Sequence, residues 1–128
     1  MAQLARYLGA AALLAVGLDH LHQRSAAHYA AIPTIGTLFL VNFVSATVVA
    51  VGLALPLERL GGTAARRVPA MLALSGVGIA AGSVAGLLTS EATGLFGFME
   101  DGYRSAIVLS LGFEVATIVL LGTYLAYP

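Results

Sequence analysis

The sequence predicts an all-α integral membrane protein, a four-helix bundle, and three observations predict it. The chain is 59% hydrophobic and only 9% charged, with a mean hydropathy of +0.95. Four apolar runs are each long enough to cross a bilayer, since about 20 residues at about 1.5 Å each span a roughly 30 Å hydrocarbon layer. The arginines cluster asymmetrically between the runs. A chain of 128 residues has too much surface for its volume to hide this apolar content in water.

The expected spans lie at about 4–22, 34–55, 69–89 and 104–125, in a single domain covering 1–128. The first begins at Leu4 and carries one early charge, Arg6. Ser25-Ala26-Ala27 offers small residues for a signal-peptide cleavage, but Asp19 to Arg24 is too polar for that region, so a retained helix is expected. Pro33 suits the first turn of the second helix, which runs to Leu55 and stops at Pro56. Its polar interruptions include Asn42, Ser45 and Thr47. A glycine-containing loop with Arg59, Arg66 and Arg67 follows, and Val68-Pro69 opens the third span. The connection from Ser90 to Gly102 mixes Glu91, Glu100 and Asp101 with Leu95, Phe96, Phe98 and Met99. The piece Leu95–Met99 is expected to dip into the interface, fold over the mouth of the bundle or meet another protein. Asp101 is expected to cap the fourth helix, and Tyr127 is an interfacial anchor candidate.

Arg6, Arg59, Arg66 and Arg67 fall on one side of such a bundle, and Arg24 and Arg104 on the other. The positive-inside rule then puts both N and C termini in the cytoplasm, for a multi-pass protein of a bacterial inner (cell) membrane. Net charge is zero and no basic tract exists, so the lipid bilayer, not nucleic acid, is the expected partner. A homo-oligomer or a larger membrane complex is the further partner expectation. The absence of cysteine removes thiolate chemistry, iron–sulfur clusters and cysteine zinc sites.

Glu114 sits near the middle of the last run, where an ionisable group is costly and normally faces the bundle interior. Ser110, Glu114 and Thr117 share one helical face with Ile107 and Leu121. Asn42, roughly 12 Å into its helix, is near enough in depth to meet Glu114, roughly 15 Å into its own. No Arg lies at that depth, so Glu114 is expected either to donate a structural hydrogen bond to Asn42 or to exchange a proton or cation. Asp19 and His20 lie nearer the end of the first span, and together with Asn42 and Glu114 they are the expected lining of an outward-opening pocket. His20, His22 and Asp19 are also candidate metal ligands. Against this, Asp19 and His22 share a face while His20 points about 100° from Asp19. A haem would need opposed histidines at matching depth, and none are present. No cofactor is implied. Gly78, Gly82 and Gly86 recur every four residues, the pattern of a close helix–helix seam; a groove for a ligand is the alternative.

The segments Gly17-Leu18-Asp19-His20-Leu21-His22 and Ile32 to Asn42 resemble uncharacterised small four-span membrane proteins of GC-rich bacteria. In architecture the chain is similar to the DoxX-like group, which implies a left-handed four-helix bundle in the inner membrane and carries over no catalytic residue. The small multidrug resistance transporters share size and span number, but their membrane glutamate lies in the first span. Here that span has none, and the chain has no tryptophan. The leading functional expectation is a subunit or small-ligand-binding component rather than an enzyme. The alternatives are a proton-coupled small transporter or channel using Glu114 and a membrane metal or redox protein using His20 and His22.

Overall fold

In the computed structural model, which describes every residue from Met1 to Pro128 except Tyr103, four long helices carry the apolar runs. They are α1 (Ala2–Ala26), α2 (Ile35–Ala54), α3 (Ala64–Ala92) and α4 (Ser105–Ala126). Each is long and apolar enough to cross a membrane. Two short 3₁₀ turns, Tyr29–Ala31 and Leu57–Leu60, precede and follow α2. Each helix packs on its chain neighbours, and α4 closes back onto α1, so the bundle is a ring in sequence order.

Helix ends differ from expectation in instructive places. α3 starts at Ala64, five residues before Pro69, because Ala64, Ala65, Arg66 and Arg67 are good helix formers; Pro69 lies inside the helix and forgoes the amide bond to the Ala65 carbonyl. α1 continues to Ala26, where the Ala27 amide bonds back to the Gln23 carbonyl. Asp101 does not cap α4: Arg104 occupies the cap position, and its carbonyl receives the amides of Ile107 and Val108.

The two halves of the bundle are built differently. Toward the chain termini a dense core forms from Ala10, Leu13, Ala46, Ala50, Leu53, Ala73, Leu121 and Tyr124. Leu121 is its central knob, seated between two glycines on facing helices. A Cβ at Gly9 would overlap its side chain, and a Cβ at Gly76 would lie 2.6 Å from its Cδ1. Gly17 brings α1 against α2 in the same way, where a Cβ would lie 3.1 Å from that of Ala46. These are the small-residue seams of the bundle. The expected seam of Gly78, Gly82 and Gly86 is not one within this chain. A Cβ at Gly78 or Gly82 would meet nothing within 4 Å, and at Gly86 only Leu95 at 3.7 Å. Gly76 and Gly78 differ by about 200° around the helix, so only one of them can face the core.

The same end is fastened by a buried cation. Arg6, 1% exposed, donates to Glu58 Oε1 at 2.7 Å, to the Tyr7 hydroxyl at 2.7 Å and to the Leu55 carbonyl at 3.3 Å. Its guanidinium ties α1 to the turn between α2 and α3. Glu58 is half-exposed, and a bond from its own backbone amide, followed by the Arg6 charge, holds its carboxyl below the usual carboxylate range.

Candidate functional site

The other half of the bundle encloses a cavity of about 420 Å³, within the size range of small-molecule sites. Its lining begins with the residues whose polarity interrupts the apolar runs. His20 comes from α1, Asn42 and Ser45 from α2, Ser83 and Ser90 from α3, and Ser110 and Glu114 from α4. Between them stand Ile35, Leu38, Phe39, Ile79, Leu87 and Ile107, with Gly78, Gly82 and Gly86 running a stripe without side chains along the α3 wall. The glycine stripe thus lines the groove that was the alternative to a packing seam.

Glu114 is 2% exposed, and its neighbours on the same face of α4 (Ile107, Ser110, Thr117 and Leu121) are buried with it. The carboxyl accepts a hydrogen bond from Ser110 Oγ at 3.1 Å, one turn back on its own helix. Its expected bond to Asn42 is not formed. Asn42 Oδ1 is buried without a hydrogen-bond partner, on the wall of the same cavity. The two residues line the same cavity without a hydrogen bond between them.

His20 is fixed at both ring nitrogens. Nδ1 lies 2.9 Å from the Val16 carbonyl, which can only accept, so Nδ1 carries a proton. In the neutral ring Nε2 is then an acceptor, and Ser83 Oγ, at 3.0 Å, donates to it. Ser83 is also a polar neighbour of Glu114, so one hydroxyl of α3 stands between the imidazole of α1 and the carboxyl of α4. Phe39 packs its ring edge against the imidazole at 4.9 Å.

The mouth nearest the α1–α2 and α3–α4 connections carries an aromatic and ionic cover. Leu95 and Phe98 exchange backbone hydrogen bonds at 2.7 and 2.9 Å, with Gly94 and Gly97 at positive φ supplying the turn. This folds Leu95, Phe96 and Phe98 over the cavity, one of the three dispositions expected of the segment. Tyr29 stacks on Phe39 at 4.7 Å and meets Phe98 edge-on at 5.6 Å. Its hydroxyl donates to Glu100 and receives a bond from Arg104 at 2.5 Å. Burial, then the bond to Glu100, pushes the Tyr29 phenol up to about 12.

Of the expected pocket residues, His20, Asn42 and Glu114 line one cavity, and Asp19 does not. Asp19 instead accepts from Gln23 Nε2 at 2.5 Å. The proposed ligand set of His20, His22 and Asp19 is not assembled: His22 is exposed while His20 is buried. Among the described residues no three His, Asp or Glu side chains converge on a metal position. An unbroken helix turns His20 and His22 about 200° apart, which accounts for the separation. Ser83, Tyr29, Phe39 and Glu100 were not singled out from the sequence. The signal in the sequence that marked the α3 wall was the recurrence of Gly78, Gly82 and Gly86.

Compared with family models, curated proteins and solved structures, the chain matches none.

Proposed function

We propose that this chain is a multi-pass protein of a bacterial inner membrane, both termini cytoplasmic, whose cavity binds a small ligand as a binding component or subunit rather than as an enzyme. The observation that carries the reading is the convergence of His20, Asn42 and Glu114 on one cavity of about 420 Å³. Three polar groups from three helices converge, with a few serines, on a space walled mainly by apolar side chains and glycine, the composition of a site that takes an apolar body and orients it by a few polar contacts. The cavity occupies one half of the bundle, and side chains such as Leu13, Leu53 and Leu121, all 0% exposed, fill the other. That one-sidedness favours binding over a through-path. The arginine distribution supports the orientation, with Arg59, Arg66 and Arg67 in one short connection. DoxX-like architecture belongs to the same proposal. Exposed Phe96 and Met99 beside the mouth support the subunit part of it.

The lack of native cysteine gives a direct test. Single substitutions Ser45→Cys, Ser83→Cys and Ala73→Cys, in vesicles of known orientation, are exposed to a small membrane-impermeant thiol reagent. Ser45→Cys and Ser83→Cys are expected to react from the periplasmic side only, and Ala73→Cys from neither. Equal protection of all three would remove the accessible cavity. Reaction of Ser83→Cys from both sides would favour the proton-coupled transporter instead.

A further inference from the structure

We infer that the ligand of this cavity is a lipophilic cation, a compact amine or quaternary ammonium on an apolar body, held with its charge against Glu114. The inference rests on the binding reading above and adds the charge and polarity of what binds.

The charges of the cavity are lopsided. Its lining contains two carboxylic acids, Glu114 and Glu100, and among the described lining residues no Lys or Arg. The two arginines at this end are engaged elsewhere. Arg24 Nε donates to the Gly36 carbonyl at 2.9 Å, and Arg104 bonds the Tyr29 hydroxyl at 2.5 Å. Glu100 shares that hydroxyl with Arg104. Glu114 has no such partner: its polar neighbours are the hydroxyls of Ser110 and Ser83 and, at longer range, the like-charged Asp19. His20 does not supply a free cationic donor, because Nδ1 is committed to Val16 and Nε2 faces Ser83.

A buried carboxyl of this kind is neutral or paired, since a lone charge at low dielectric is strongly disfavoured. A cation reaching it takes the place of the acid proton. The O–H bond of Glu114 breaks, the proton passes to water in the open cavity, and the oxygen keeps the electron pair and faces the cation. Asn42, whose buried Oδ1 has no hydrogen-bond partner, belongs to the same lining and puts a second acceptor beside the cavity. Phe39, Leu87 and Phe98 provide the apolar contact. An anion would meet two acids and an unsatisfied carbonyl oxygen, and a neutral molecule would leave the acid's potential unused.

The test is protection of Ser83→Cys from a thiol reagent, with the full chain in lipid nanodiscs. Three probes of similar size are compared: benzyltrimethylammonium, its uncharged carbon isostere neopentylbenzene, and benzenesulfonate. The cation is expected to protect at a concentration about tenfold below the isostere, the scale of one charge-assisted contact. Benzenesulfonate is expected not to protect. Glu114→Gln should abolish the preference, and Glu114→Asp should retain part of it. Equal protection by cation and isostere, or a preference that survives Glu114→Gln, overturns the inference and leaves the binding reading standing. Protection by none of the three overturns both. The probe comparison in the Glu114-containing chain decides the matter even if Glu114→Gln fails to fold.

Discussion

The imidazole of His20 on α1 and the hydroxyl of Ser83 on α3 meet at 3.0 Å across the bundle, between two helices that otherwise touch little. Because Nδ1 is held by Val16, this bond also fixes the ring plane toward the cavity. Ser83→Ala removes the donor and leaves Nε2 without its partner. The expected cost is about 1 kcal/mol, read as a lower midpoint of thermal unfolding in detergent, together with a shifted Nε2 resonance in nitrogen NMR. An unchanged resonance would mean that the two groups do not meet.

At the opposite end, Arg6 depends on Glu58 for its counter-charge. Glu58→Gln should lower the thermal midpoint at pH 7, because it leaves a buried guanidinium short of a partner. The double variant Arg6→Met with Glu58→Gln should recover part of the loss. The sign with pH follows from Glu58 titrating lower in the folded chain than unfolded. Its contribution is present above the ordinary carboxylate range and disappears as pH falls through the folded value. The gap in midpoint between the unaltered chain and Glu58→Gln should therefore close on acidification. A gap that widens contradicts the ion pair.

Glycines in this chain do two different jobs, and alanine separates them. At Gly82 a methyl enters open space, so Gly82→Ala should stay within about 0.5 kcal/mol of the unaltered chain or stabilise it through helix propensity. At Gly36 a Cβ would lie 2.7 Å from the Tyr29 carbonyl oxygen and 2.8 Å from Ala30 Cα, backbone atoms with no rotamer to yield. Gly36→Ala should cost about 1–3 kcal/mol. Paired unfolding measurements check both, and a reversed order would contradict the cavity wall.

Tyr29 offers a spectroscopic readout of the cover. The difference in ultraviolet titration between the unaltered chain and Tyr29→Phe should show a phenol ionising near about 12. Since the folded value lies above the ordinary one of 10.0, this group's contribution is complete below the ordinary value and is lost as pH rises through the folded one. Glu100→Gln should bring the transition down, because the acceptor loses its charge and with it the repulsion that opposes the phenolate.

The four helices were legible because span length is a local requirement that apolar runs satisfy or fail by themselves. Glu114, Asn42 and His20 were legible as polar exceptions within such runs. The rotation of α3 was not. Gly76 and Gly78 look alike in sequence, and only the seat of Leu121 decides which one packs. Ser83 was hidden for a related reason: a serine in an apolar helix can satisfy itself on its own backbone, as Ser75 does on Met71 at 2.9 Å. Nothing local distinguishes the two. The failed Asn42–Glu114 bond has the same origin, since matching depth says nothing about how each helix is rotated.

That wall has one more consequence. Gly78 and Gly82, midway along α3, are exposed on the flank of the bundle rather than at its tip, and exposed Val41 of α2 lines the same cavity. With the chain lying in a bilayer as proposed, a solute dissolved among acyl tails stands at the same depth as this flank, a second way in beside the outward mouth. Occupancy would then follow how strongly a compound partitions into lipid, and two amines of equal intrinsic fit but unequal oil solubility would saturate the protein at very different aqueous doses.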